Sequence, residues 1–314
     1  MKHLGISGGG TKIGGLFGAA EVILKEKNYQ PDIISGVSSG AILSVPLAMG
    51  KFDELRKLIL DFDLNTFFST SPVRSNGKIR VANAINSIVF GKPYLGKQLN
   101  LEKALAELVP VQEFEAYKRD DKYPICIVGS VDFYTGCRVF VNLKEMSHQY
   151  FLRFVNASAS IPIFTEGIKV TDTFRDFTGK KFEDEVLLYD GGVRDHISTP
   201  KIIDSDKYNI TESTSIYSRP EDYKKILAGK FIPKNLMKIL SRYTEISNVE
   251  VSKNDEFMEN KIMKEKGIKK HDTIFLPSIM QDVYDVNKGR LKQMYEAGKF
   301  QAKDWDANAA SLVV

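Results

Sequence analysis

The sequence predicts an α/β fold: a mostly parallel central sheet flanked by helices, with a helical C-terminal portion. Three observations carry this. Over the first fifty residues, short apolar runs alternate with stretches of helical apolar spacing, giving a β-α-β-α order. The 314-residue chain is long enough for one large α/β domain, with or without a modest addition. Beyond Pro220 the texture changes, and Lys and Glu become frequent.

Leu4–Ser7 reads as a short buried strand, followed by a loop at Gly8-Gly9-Gly10. Gly14–Asn28 reads as a helix, because Leu16, Ala19, Ala20, Ile23 and Leu24 recur at helical spacing. Pro31–Gly36 forms the second strand, with Ile33 and Ile34 buried, and a helix runs from Ser39 to about Met49 despite Pro46. Residues 65–96 are irregular, mixing Phe67, Phe68, Ile79, Val81, Ile85, Ile88, Val89 and Phe90 with Pro, Ser and Gly. Asn100–Val109 is helical. Tyr123–Val131 and Arg138–Leu143 read as neighbouring strands, and His148–Ala157 as a helix ending near Pro162. Strands are expected at Glu185–Tyr189, ending on Asp190, and at Ser213–Tyr217. Leu236, Leu240, Tyr243 and Ile246 mark an amphipathic stripe, Thr273–Leu276 a short strand, and Asp285 to about Lys303 a terminal helix. The expected organisation is one unit over residues 1–220 and a helical extension over 221–314, packed on it or continuing it.

Composition narrows the function. A net charge of +4, with no basic run interleaved with aromatics, argues against a nucleic-acid partner. Cys126 and Cys137 read as two reduced, buried thiols, and no Cys/His spacing suggests a metal site. No cofactor is expected. No run of about 18 apolar residues suggests a membrane span. The first strand starts at once, leaving no room for a signal peptide, so the expected location is cytoplasmic, with a peripheral position at a membrane allowed.

The chemistry concentrates at three junctions. Gly36-Val37-Ser38-Ser39-Gly40 fits G-x-S-x-G, where small residues let a strained strand-to-helix turn expose a serine hydroxyl. Ser39 lies one place inside the helix and fits the elbow less well. Gly8, Gly9 and Gly10 leave backbone N–H groups able to converge on an oxyanion, with Lys12 close behind. The run supplies neither a P-loop nor a dinucleotide fingerprint. Tyr189-Asp190-Gly191-Gly192 ends an apolar strand on a carboxylate, so Asp190 is a candidate base for Ser38. A Ser38–Asp190–His271 triad satisfies the chain order of α/β-hydrolases, but His271 follows Lys269-Lys270 and reads as an exposed loop histidine. His196 reads as a loop residue. Phe67 to Tyr94 is a candidate acyl-binding lid or bilayer contact.

These motifs, in this order, together with the small-residue block Ala157-Ser158-Ala159-Ser160-Ile161-Pro162, resemble the patatin-like phospholipase family over roughly residues 3–205. The resemblance implies a patatin-like fold and a lipid acyl hydrolase of phospholipase A type. It maps the family's catalytic pair onto Ser38 and Asp190 and its oxyanion loop onto Gly8, Gly9 and Gly10. The implied substrate is a phospholipid or other acyl lipid, met at a peripheral membrane surface. Two departures stand out. Ile13 occupies a position where the family often has glycine, and Val193-Arg194-Asp195-His196 follows the Asp-Gly-Gly where Asn and Pro are common. A catalytically silent lipid-binding module is the alternative from another class.

Overall fold

A computed structural model describes residues 1–74, 80, 82–83, 85, 89–222, 236–280 and 284–313. The expectations for Ile79, Val81 and Ile88, and for the side chains of Leu236 and Leu240, fall outside the described residues.

The chain opens as read. Strand β1 (Lys2–Ile6) leads through a 3-10 turn at Gly10–Lys12 into helix α1 (Ile13–Glu21), prolonged by a π-helical turn at Val22–Glu26. Strand β2 (Ile33–Val37) then passes directly into helix α2 (Ser39–Ala48). Beyond Lys2, both strands are buried throughout and covered on both faces, as a parallel sheet requires. Helices α3 (Phe52–Leu60), α4 (Leu64–Phe67), α5 (Leu99–Leu108) and α6 (Val111–Arg119) follow. Strands β3 (Ile125–Asp132) and β4 (Arg138–Asn142) form an antiparallel pair, and helix α7 (His148–Ser158) returns across the sheet. Strand β5 (Ile168–Val170) and the small hairpin β6 (Phe174–Arg175) and β7 (Lys181–Phe182) precede β8 (Val186–Asp190). Helix α8 (Thr199–Asp204) and strand β9 (Glu212–Tyr217) follow.

The C-terminal portion is more than helical. Helix α9 (Leu236–Lys266) and helix α10 (Lys288–Gln301) dominate it, but β10 (Lys269–Lys270) and β11 (Ile274–Phe275) both add in parallel to β9. Strand β12 (Ser311–Leu312) then pairs with β10. Among the described residues the main sheet runs β12-β10-β9-β1-β2-β3-β8-β5, with β11 also on β9 and β4 also on β3. Residues after 220 therefore extend the same sheet.

One feature of the register positions the site. On β3, Val37 of β2 lies opposite Gly129, and Asp190 of β8 lies opposite Ser130. Strand β4 occupies the other edge across residues 127–131. Strands β2 and β8 thus use the same edge of β3 in succession, running in opposite directions. The end of one meets the end of the other.

Candidate active site

Ser38 sits between β2 and α2 with φ 53° and ψ −117°, a backbone conformation that non-glycine residues rarely adopt. The turn is tight enough that both flanking glycines are obligatory. A Cβ on Gly36 would lie 2.3 Å from the Gly40 carbonyl carbon, and one on Gly40 would lie 2.2 Å from the Ile6 carbonyl oxygen. The motif's small residues are therefore what let α2 pass so close to β1 and β2.

The elbow is pinned by hydroxyls. The Ser38 N–H donates to Ser158 Oγ at 2.9 Å, and the Ser158 hydroxyl donates to the Gly129 carbonyl at 2.6 Å. The Ser39 hydroxyl donates to the Gly10 carbonyl at 2.9 Å, tying the glycine loop to the start of α2. Ser160 accepts the Asp190 N–H through its carbonyl at 2.9 Å. The block 157–162, singled out in the sequence without a role, supplies the Ser158 and Ser160 struts. Its alternation of Ala and Ser was the available signal.

Asp190 is buried, its Oδ1 accepts the Gly192 N–H at 2.7 Å, and the Ser38 side chain is near enough to lower its pKa. Burial pushes its pKa up to about 6, against the lowering effect of those two groups. Asp190 reaches Ser38 by a route the sequence did not suggest. Strand β8 is antiparallel to β3, so Asp190 is not at the carboxyl edge of a parallel strand but at the leading end of a strand that enters from above it. The glycine after it matters here, since a Cβ on Gly191 would lie 2.5 Å from the Gly129 carbonyl oxygen.

The glycine loop lies over Ser38. A Cβ on Gly8 would approach the Ser38 Cβ to 3.2 Å, Gly9 is extended, and Gly10 has φ 53°. The Gly8 N–H donates to the His196 carbonyl at 2.8 Å, so that amide is already engaged. The Gly8 carbonyl accepts hydroxyls from Ser7 and Ser218. Beside the loop, burial depresses the Lys12 ammonium pKa, partly opposed by Glu245. His196 is buried and held neutral, with its pKa lowered to about 3 by burial and then by Lys12 and Arg219. Its backbone, rather than its ring, is what joins the site. The His196 and Ile197 N–H groups donate to Asp255 of α9, at 2.6 and 3.2 Å.

An apolar cavity opens at Ser38, Ser39 and Gly10. Ile42, Phe62, Leu64, Phe68, Leu101 and Ile161 line its walls, with Phe67 and Tyr284. Phe67 and Phe68, from the candidate lid, thus face the cavity, while Ile85, Val89 and Phe90 are exposed.

His271 is not an exposed loop residue. It is buried beside Tyr29 and Trp305, and its ring bonds Glu212 and the Asp306 carbonyl. Its N–H pairs with Ser213, near the start of β9, whereas Ser38 follows the end of β2, so the two residues lie at opposite ends of the sheet. That separation removes the triad reading. Both cysteines are free, Cys126 buried and Cys137 partly exposed rather than buried. Among the described residues, no three His, Cys, Asp or Glu side chains converge on a metal position, and no helix is long and apolar enough to cross a membrane.

The sequence model of the family described as Patatin-like phospholipase matches residues 4–200. No curated protein matches the chain. Solved structures similar to it include VipD from Legionella pneumophila, at 12% identity and a TM-score of 0.45, covering 96% of this chain and 66% of that one. Full-length ExoU, in complex with full-length SpcU from the type III secretion system of Pseudomonas aeruginosa, is similar at 13% identity and a TM-score of 0.37. That match covers 85% of this chain and 52% of ExoU, so the chain spans about two thirds of the first neighbour and half of the second.

Proposed function

Since the chain belongs to the patatin-like phospholipase family, we propose that it hydrolyses fatty-acyl esters of phospholipids through a Ser38–Asp190 dyad. The observation that carries the reading is a strained serine beside a buried carboxylate whose pKa it lowers, beneath a glycine loop and at the mouth of an apolar cavity.

In this reading the acyl chain lies in the cavity, which places the ester carbonyl at Ser38. Asp190 accepts the hydroxyl proton as Oγ attacks, and the carbonyl π electrons move onto oxygen. The Gly9 and Gly10 N–H groups receive that oxyanion, because the Gly8 N–H is committed to His196. The N-terminus of α2 adds its dipole. Collapse of the intermediate expels the lysolipid alkoxide, which takes the proton from Asp190. Asp190 then deprotonates water, which attacks the acyl-enzyme and releases the fatty acid. The dyad itself is the point of test.

The test is labelling with a fluorophosphonate probe alongside fatty-acid release from mixed phospholipid vesicles, for the wild type, Ser38→Ala and Asp190→Asn. Wild-type labelling and release, with both variants folded and reduced by about 10³-fold or more, is the expected outcome. A folded wild type that neither labels nor hydrolyses points instead to the silent lipid-binding module.

A further inference from the structure

We propose that the layer formed by residues 69–74, 80, 82–83, 85, 89–97 and 161–166 is the face that docks on an anionic lipid bilayer, presenting the cavity mouth to it. This rests on the acyl-hydrolase reading for the purpose of the face, but not for its existence.

The layer is continuous with the cavity. Thr70 bridges to Lys97, Gly96 bridges to Thr165, and the Leu95 N–H donates to the Ile163 carbonyl at 2.9 Å. The Asn83 side chain donates to the Ser71 and Leu95 carbonyls, both at 2.9 Å, and closes the layer on itself. Its roots, Phe68 at one end and Gln98 and Ile161 at the others, are cavity walls. Whatever the layer touches is therefore adjacent to the route into the site.

Its outer surface combines two properties that are seldom joined by chance. Val89 and Phe90 are 66% and 68% exposed, and Ile163 is 59% exposed. Ile163 also has φ +73°, a conformation that a β-branched side chain avoids and that here leaves it projecting beside half-buried neighbours. The second property is charge. Among the described residues of the layer, Arg74, Arg80, Lys92 and Lys97 are cationic and Glu166 alone is acidic. Glu166 pairs with Lys97 at 3.0 Å, leaving the balance strongly positive. Lys92 lies over the Phe90 ring and Lys97 over the Tyr94 ring, at 6.0 and 5.5 Å from the centroids. Exposed apolar side chains with cations alongside suit the boundary between acyl chains and anionic headgroups, where the first insert and the second meet phosphate. A protein partner would more naturally face a mixed-charge rim.

The test uses the full chain carrying Ser38→Ala, so that vesicles stay intact, and measures co-sedimentation with phosphatidylcholine vesicles and with vesicles containing phosphatidylglycerol. Binding should favour the anionic vesicles by about tenfold or more and weaken as salt rises. Phe90→Ala with Ile163→Ala should lower binding to the anionic vesicles by about tenfold. Arg74→Glu with Lys92→Glu should abolish the preference for them. In the Ser38 background, these same surface variants should hydrolyse a water-soluble short-chain ester and take up the fluorophosphonate at the wild-type rate. Equal binding to both vesicle types, or surface variants that bind like their parent, overturns the proposal. So does a face that mediates only self-association, seen as a change in elution volume without vesicle binding. Vesicle binding as expected without labelling or ester hydrolysis would sink the dyad reading alone. Normal labelling and hydrolysis without selective vesicle binding would sink the docking face alone.

Discussion

Asp190 meets two opposing demands at one residue. As the proposed base it must be ionised, yet it is buried, and burial raises its pKa to about 6. The Ser38 hydroxyl and the Gly192 amide keep that rise small enough for the carboxylate to persist at neutral pH. Two predictions follow from the same number. First, ester hydrolysis should rise with pH along a single-proton limb with its midpoint near 6, read from kcat/KM across pH 4.5–8. A flat profile through that range would remove Asp190 as the base. Second, the raised pKa has a stability consequence of definite sign. An unfolded aspartate titrates at about 4. Between about pH 4 and 6 the folded state binds more protons than the unfolded one, so this group's contribution is most favourable below that window and is lost as pH rises through it. Asp190→Asn should therefore be inactive but more stable than wild type, with a Tm several degrees higher at pH 8 and a gain that shrinks toward pH 4. Thermal unfolding at the two pH values checks it.

At the scale of elements, helix α9 holds the loop that follows Asp190. Ser252, Asp255, Glu256 and Glu259 share one helical face. Ser252 and Glu256 bind Arg219, Glu259 accepts the Tyr217 hydroxyl, and Asp255 accepts the His196 and Ile197 amides through one oxygen. Because the His196 carbonyl in turn accepts the Gly8 N–H, the helix reaches the glycine loop through a single peptide residue. Asp255→Ala should orphan two buried amides, costing about 2–3 kcal/mol of stability and slowing fluorophosphonate labelling of Ser38. Asp255→Asn keeps an acceptor oxygen and should retain both properties. Urea unfolding with labelling rates separates the two variants, and equal loss in both would mean that charge, not the acceptor, is what the loop needs. None of this was legible in the sequence. The strand–loop–helix junctions at Gly8–Gly10 and Gly36–Gly40 were legible because their small residues answer local backbone needs. Helices α3 and α6 escaped the reading, being short and rich in charge. Asp255 meets His196 59 positions away, and His271 meets Trp305 and Tyr29 from distant segments. Such partners are set by the packing of the whole chain, so no local pattern announces them.

At the scale of the whole molecule, the family match ends at residue 200 while the fold does not. Strands β10 and β11 cover the open edge of β9, and α10 lies against α1 with backbones in contact. A Cβ on Gly18 would fall 2.3 Å from the Tyr295 carbonyl oxygen, and one on Gly298 would fall 2.0 Å from that of Gly15. The small residues of α1 are thus a seat for the C-terminal helix. Beyond residue 222 the chain buries Ile262, Met263, Ile274, Leu276, Leu291, Met294, Tyr295 and Trp305. Each such side chain contributes about 1.5–3 kcal/mol when buried. Together they match or exceed the whole net stability of an ordinary domain, about 5–15 kcal/mol. A chain ending at Asp222 should consequently fail to fold, giving no cooperative urea transition and no fluorophosphonate labelling even though it retains Ser38, Asp190 and the glycine loop. A truncated chain that unfolds cooperatively and labels would make the C-terminal portion an accessory. The close seat on α1 argues the reverse: the part matching the family is completed, as a folded object, by residues that its family signature does not include.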